Sequence, residues 1–445
     1  MKPVFALIDC DNFFVSCERL FRPDLASQPV VVLSSNDGCV VSRSREAKEL
    51  GIPMGAPAFK YRELFKTHGV VRFSANFELY GDISERITRT LTKITPRTEV
   101  YSVDEAFLDL SELALPNYDA WGRAVRQHLF REVGIPVAIG IAPTKTLAKL
   151  ATEHTKQKAD SAEVLDLARA SVGTRDRYLA RTPVKDIWGI GWRLAPRLRA
   201  EGIHSALDLS RVPPRFAQQL MGIHGRQLVA ELNGTCCHRL EPFGKIRQTI
   251  MHGRQFGEDT NNPSVVEAAI ASLTARAASR LRRENLLARH ATVHLKTNRH
   301  KPGYQRIGRS ISFATPTADA GLITSQLLKA LGSSHKLWYH RADVLLYDLV
   351  SEHGLQTDLL GHLDLAAAAA SQSRLRAFDA INQRYGQRTI HYAAEDLSAA
   401  WQPKRAHSSP RYTTNWEELP TIYAKKIEIK SLRKRCSSAT FTNYL

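Results

Sequence analysis

The apolar run from Val4 to Ile8 ends on an acid, Asp9, and this arrangement constrains the fold most. A short uninterrupted apolar run reads as a buried strand. Such a strand would deliver Asp9 at its tip. A second stretch, Val100 to Leu110, is apolar and β-rich but interrupted by Asp104-Glu105. It is expected to form a hairpin or strand pair with the two acids at or near the bend.

Further elements surround these two. Gln28 to Leu33 is a strand candidate, Ser35 to Gly38 a turn cluster, and Cys39 to Ser42 a candidate return strand. Ser44 to Leu50 has helical character, stopped by Gly51 and Pro53. In the segment Gly81 to Ile94, Ile83, Ile87, Leu91 and Ile94 share one helix face. Pro136 to Ile141 gives another buried strand, and Thr144 to His154 a helix after it. This alternation within the first 165 residues predicts an α/β layered domain.

The second half changes character. Pro183 to Leu209 reads as small and helical, with Ile187-Trp188-Gly189-Ile190-Gly191 ahead of a basic helix from Trp192 to Glu201. A second glycine turn, Gly222 to Gly225, precedes another helix. Helical spacing at 265–287 gives way to strand-like Ala291 to Lys296 and Ala342 to Leu349, which suits a small basic α/β domain. After about 352 the pattern weakens through the alanine run Ala366 to Ala370 and the polar stretch Gln402 to Pro410, so a partly ordered tail is expected. A length of 445 residues suggests about three domains, or four small ones.

Charge narrows the partner. Sixty-two Lys and Arg stand against 44 Asp and Glu, a net of +18. Such an excess favours a polyanion. No apolar run reaches the ~20 residues that span a bilayer, and the N-terminus meets an acid too soon for a secretory signal. Nucleic acid is the better candidate, no membrane partner is expected, and a cytoplasmic location fits. Residues 245–309 hold 13 Lys and Arg against four acids, a net of +9, half of the total excess. None of the six cysteines forms a C-x-x-C pair, so neither a zinc site nor a disulfide framework is expected.

Three carboxylates at neighbouring strand tips suit magnesium, which prefers oxygen ligands. Two such ions ~3.5–4 Å apart stabilise the attacking and leaving oxygens of phosphoryl transfer. By themselves the acids also fit a solvated charged turn. The motifs around them are more specific. L-I-D-C-D-N-F-F-V-S-C-E at 7–18, Y-S-V-D-E-A-F-L-D-L at 101–110 and V-A-I-G-I-A-P-T-K-T-L-A-K-L-A at 137–151 resemble, in order and spacing, the three motifs of Y-family DNA polymerases. S-P-R-Y-T-T-N-W-E-E-L-P at 409–420 resembles the UmuC branch of that family.

The resemblance implies a right-hand polymerase, α/β and α+β multidomain. It comprises a palm (1–20 and 76–170), small fingers (21–75), a thumb with a helix-hairpin-helix (171–240), a little finger (243–350) and a C-terminal partner-binding tail (351–445). It implies error-prone, template-directed translesion synthesis in the SOS response, on primed DNA with deoxynucleoside triphosphates and two Mg²⁺. Asp9, Asp104 and Glu105 match the family's catalytic metal ligands, and Cys10 matches a ligand through its backbone carbonyl. Asp11 matches no ligand and reads as a local hydrogen-bonding residue. Phe14 matches the steric gate that excludes a 2′-hydroxyl, with Phe13 beside it; both also suit core packing. Arg45 and Lys48 stand where relatives often have Tyr and Arg on the triphosphate, Lys156 matches a phosphate-contacting lysine, and Ser42 is a further candidate.

Gly189 and Gly191 sit in the turn resembling the helix-hairpin-helix, where the backbone can approach DNA phosphate. Gln356, Leu359 and Leu360 lie in a segment, Q-T-D-L-L, resembling the sliding-clamp motif, with Leu360 replacing the usual aromatic. The resemblance also implies a UmuD′-like dimer and a RecA filament as partners. Two competing readings remain: a DNA-binding accessory protein of the same fold without catalysis, and another palm-type nucleotidyl transferase such as a cyclase. Intact acids oppose the first. The glycine turn and basic second half oppose the second.

Overall fold

The computed structural model describes residues 3–113, 115–157, 163–241, 247–332, 337–352, 365–386, 388–395 and 401–419. The chain starts with β1 (Phe5–Cys10), buried along its whole length, and α1 (Phe13–Phe21). It then leaves for a small unit containing β2 (Val30–Leu33), β3 (Val40–Arg43), α2 (Arg45–Glu49), α3 (Arg62–Thr67) and β4 (Val71–Ser74). Its three strands form one sheet in the order β3-β2-β4.

The chain returns through α4 (Phe77–Ile94), β5 (Thr98–Val100), β6 (Glu105–Asp109), α5 (Tyr118–Val133), β7 (Val137–Ala142), α6 (Lys145–Gln157) and β8 (Val164–Asp166). These complete a five-stranded sheet, β5-β6-β1-β7-β8. Its core holds Ile8, Leu108, Ile139, Ile141 and the α4 face Leu79, Ile83, Ile87 and Leu91. Burying that face is what drives α4 onto the sheet. Gly140 of β7 lets α6 lie close against the sheet, since a Cβ there would strike the Ala148 carbonyl and Thr152.

Five short helices follow: α7 (Val172–Arg181), α8 (Leu194–Ala200), α9 (Ala206–Ser210), α10 (Pro214–Met221) and α11 (Ile223–Leu232). The expected second glycine turn is shorter than its four residues, because α11 already begins at Ile223 and only Gly222 serves as the joint. Glu231 of α11, fully buried, fastens this unit to the sheet domain. Its carboxylate accepts the backbone N–H groups of Thr146 (3.1 Å), Cys237 (2.6 Å) and His238 (3.0 Å).

The last large unit is β9 (Thr249–Thr260), α12 (Pro263–Arg283), β10 (Leu286–Thr297), β11 (Arg306–Thr317), α13 (Ala320–Leu331) and β12 (Tyr339–Ser351). Its antiparallel sheet runs β11-β10-β12-β9, with both helices packed on its core. The described part of the tail, for which partial order was expected, is held by specific packing. Leu365–Tyr385 forms α14, and beyond it Trp401 and Tyr412 are 2% and 8% exposed. The reason is tertiary: Trp401 lodges in the core of the β9–β12 unit and Tyr412 in that of the first sheet.

Candidate active site

Strand register brings the acids together. β1 and β6 are antiparallel with Asp9 opposite Glu105. One step on, the Cys10 N–H donates to the Asp104 carbonyl at 2.9 Å, which closes the pair at the 101–104 turn. Asp9 is 5% exposed. Burial raises its pKa above the ordinary value, Lys156 pulls it down, and the neighbouring Glu105 pushes it up again. Two carboxylates therefore share one desolvated place.

Helix α6 supplies the opposing charge. Lys145, Lys149 and Lys156 lie on one face at spacings of four and seven. Lys156 Nζ is 2.6 Å from Asp9 Oδ2. Burial works against the Lys156 charge, but Asp9 more than offsets it and holds its pKa above the usual value. Lys149 Nζ lies 2.9 and 3.0 Å from the two Glu105 oxygens and 4.8 Å over the Tyr101 ring. Lys145 pairs with Glu99 at 2.5 Å. The sequence reading missed Lys149 and Lys145, although both stand in the quoted 137–151 motif; the signal was their shared face with Lys156.

Among the described residues no three His, Cys, Asp or Glu side chains are arranged as a ready ligand cluster. The side-chain directions explain this. Asp104 accepts the Ser102 hydroxyl at 2.6 Å, and Glu105 turns towards Lys149. The donor set still fits a divalent cation: hard oxygens on paired strands, with a like-charge repulsion between Asp9 and Glu105 that a cation would relieve. Cys10 is buried in the core with a thiol pushed well up by burial, so only its backbone is available to a ligand. The Asp11 carbonyl accepts the Ser16 hydroxyl five residues on, while its N–H donates across the fold to the Pro136 carbonyl at 2.9 Å.

Beside the acids, Phe14 is half-buried and stacks on Tyr80 with ring centres 4.5 Å apart and planes 14° apart; Phe77 meets it edge-on at 6.0 Å. Phe13 is a buried core residue, its ring centre 5.8 Å from that of Phe14, which packs against the same core. Of the two readings open for Phe13, the structure shows the packing. Ser42 is buried in β3, its hydroxyl donating to the Asn12 carbonyl at 3.3 Å. Lys48 has a lowered pKa from desolvation and from the repulsion of Arg43 and Lys156, so it belongs to the same positive cluster. Arg45 does not join it: its side chain is 65% exposed and pairs with Glu49 at 3.0 Å.

A cleft of about 1220 Å³ runs between the sheet domain and the helical unit, lined in part by Tyr101, Lys145, Trp188, Gly189, Arg239 and Arg247. Gly189 adopts φ +87 and, like Gly191, is exposed with open space where a Cβ would be. Positive φ is accessible to glycine at little cost. In the β9–β12 unit His252 is pushed down to about 4 by burial and by Arg280, Arg276, Arg254 and Arg283. Four arginines thus crowd around one half-buried imidazole. Gln356, Leu359 and Leu360 lie outside the described residues. Among the described residues no helix is long and apolar enough to cross a membrane.

Comparison with known proteins agrees with this geometry. The profile described as "impB/mucB/samB family" matches residues 8–153, and that family's C-terminal domain matches residues 247–359. A "Domain of unknown function (DUF4113)" matches residues 375–422. Protein UmuC of Salmonella typhimurium is 39% identical over 94% of this chain and 99% of its own length. DNA polymerase IV of Moorella thermoacetica is 31% identical over 87% of this chain and 94% of its own. Among solved structures, a Y-family DNA polymerase chimera of Dbh and Dpo4 matches 78% of this chain and 99% of its own with a TM-score of 0.62 and 22% identity, a likeness of fold.

Proposed function

This chain belongs to the impB/mucB/samB family of Y-family polymerases, and from that membership we propose that it is a template-directed, error-prone DNA polymerase for translesion synthesis in the SOS response. The observation that carries the reading is the Asp9–Glu105 pair across β1 and β6, flanked by the lysine face of α6.

In this reading the five-stranded sheet domain is the palm and the β2–β4 unit the fingers. Helices α7 to α11 make the thumb, and the β9–β12 unit the little finger. Asp9, Asp104, Glu105 and the Cys10 carbonyl would hold two Mg²⁺. When bound, the ions stabilise charge on the attacking 3′-oxygen and the leaving phosphate. The protein groups do the rest. Lys156 and Lys48 neutralise the triphosphate, and Arg45 reaches it only by leaving Glu49. The Ser42 hydroxyl holds the Asn12 carbonyl at the start of α1. The Phe14 ring, backed by Tyr80 and Phe77, occupies the volume that a ribose 2′-hydroxyl would need.

The exposed backbone at Gly189 and Gly191 and the arginines of the little finger grip DNA phosphates without reading bases. Small fingers leave room for damaged templates. The partners follow the same reading: primed DNA, deoxynucleoside triphosphates, a sliding clamp through Gln356, Leu359 and Leu360, a UmuD′-like dimer and a RecA filament, all in the cytoplasm.

The test is primer extension with Mg²⁺ and deoxynucleotides, with those partners present, comparing the native chain with Asp104→Ala. Extension by the native chain alone supports the reading. Equal extension by both sinks the metal assignment. Failure of both favours the non-catalytic DNA-binding protein.

A further inference from the structure

The segment 401–418 lies within a domain that carries no assigned function, and it is bound at both ends by cores that belong to other parts of the chain. Trp401 fills the little-finger core and Tyr412 the palm core, where it stacks on Phe21 at 4.4 Å with planes 9° apart. Between these anchors the chain is held by the fingers. The Lys404 N–H donates to Asn36 Oδ1 and the Ala406 N–H to Asp37 Oδ2, each at 2.8 Å. Asn36 and Asp37 both have left-handed backbone, φ 59 and 50, a strained choice for two adjacent non-glycine residues. Asn36 also donates to the Phe256 carbonyl of β9 at 2.8 Å, so one side chain joins fingers, little finger and strap. Ser74 exchanges two hydrogen bonds with His407, at 2.9 and 3.0 Å.

The path then reaches the back of the nucleotide site. Asn76, at the start of α4, donates to Ser409 Oγ at 3.0 Å and to the Pro410 carbonyl at 3.1 Å. The Ser409 hydroxyl donates to Glu18 Oε1 at 3.0 Å, and the Tyr80 hydroxyl donates to the same oxygen at 2.6 Å. Tyr80 is the ring stacked on Phe14, and Glu18 stands one helical turn after Phe14 on α1. Ser409 thus meets, through one buried carboxyl, both helices that position the Phe14 ring.

We infer that residues 401–418 form an intramolecular strap that holds the little finger against the fingers and, through Ser409, Glu18 and Tyr80, sets the position of the Phe14 ring. Ser409 is then a positioning residue for sugar discrimination, and the C-terminal segment is part of the nucleotide site's own support. This rests on Phe14 being the steric gate.

The experiment is single-nucleotide incorporation by the full chain, with the partners its activity requires, from deoxy- and ribonucleoside triphosphates. The variants are Ser409→Ala, Ser409→Thr, Tyr80→Phe and Phe14→Ala, with melting curves for each. Ser409→Ala is expected to lose about five- to tenfold of the discrimination, the equivalent of one hydrogen bond, chiefly through faster ribonucleotide incorporation. Ser409→Thr, which keeps the hydroxyl, should retain it. Tyr80→Phe cuts the same link from the palm side and should lose discrimination too, which reads the link a second way if Ser409→Ala does not fold. Loss in Phe14→Ala with wild-type discrimination in both Ser409→Ala and Tyr80→Phe overturns the strap's role while the gate stands. Unchanged discrimination in Phe14→Ala overturns the gate itself, and the strap's role with it.

Discussion

Asp9 and Glu105 are register partners across β1 and β6, and each is met by its own lysine, Lys156 at 2.6 Å and Lys149 at 2.9 Å. The five-stranded sheet domain therefore concentrates two negative charges on strands and answers them from a single helix face.

That crowding sets an expectation for Glu105→Gln. The substitution removes like-charge repulsion on Asp9 but also the charge partner of Lys149, so the melting temperature should change little. It also removes a hard ligand, so incorporation should drop by at least ~10³-fold. Binding of Mn²⁺, followed by electron paramagnetic resonance, should weaken in parallel. Wild-type Mn²⁺ affinity in the variant would remove Glu105 from the ligand set.

Lys149 orients Glu105 and lies over the Tyr101 ring. Lys149→Met should lower incorporation about tenfold by loosening that carboxylate. Because a positive charge leaves the site, the Mg²⁺ concentration for half-maximal rate should fall as well. A Mg²⁺ titration of the two proteins checks both directions; a higher Mg²⁺ requirement would contradict the assignment.

Glu18 gives a pH prediction. Burial pushes its carboxyl up from 4.5 to about 7, against the hydrogen bonds from Tyr80 and Ser409. A raised carboxyl binds its proton more tightly in the folded chain than in the unfolded one. It costs nothing below about pH 4.5, costs progressively more up to about pH 7, and levels off above. The full penalty is about 3 kcal/mol. Glu18→Gln lacks this titration, so its melting temperature relative to the native chain should climb between pH 5 and pH 8. A difference that stays flat with pH would rule out Glu18 as the titrating group.

Glu231 is the joint between the α7–α11 unit and the five-stranded sheet domain. Glu231→Ala leaves three backbone N–H groups without their acceptor and should cost about 3 kcal/mol. Denaturant unfolding reads the loss directly. Glu231→Gln keeps one acceptor oxygen and should fall between the two.

The five-stranded sheet domain was legible in the sequence because its signals are local. Apolar runs of strand length, the acids at their ends and the repeat of Ile83, Ile87 and Leu91 are set by neighbours a few residues away. The motifs then joined Asp9 to Asp104 and Glu105 before any contact was visible. Other features carried a weaker sequence signal. Lys149 stood in the quoted motif, yet only the register of β1 with β6 shows which acid it meets. Phe13 and Phe14 are equivalent as letters, and the packing of α1 buries the first fully while leaving the second half-buried and stacked on Tyr80.

The tail marks the boundary most clearly. Its composition is polar and proline-bounded, and composition alone predicts loose structure. The sequence by itself determined the strands, the acids at their ends and the basic excess, because periodicity and charge are properties of neighbouring residues. Only the tertiary structure decided that Trp401 and Tyr412 anchor that tail in two separate cores, and that Ser409 shares a carboxyl with Tyr80. Those contacts join residues more than 300 positions apart along the chain, or meet cores that neither partner forms alone.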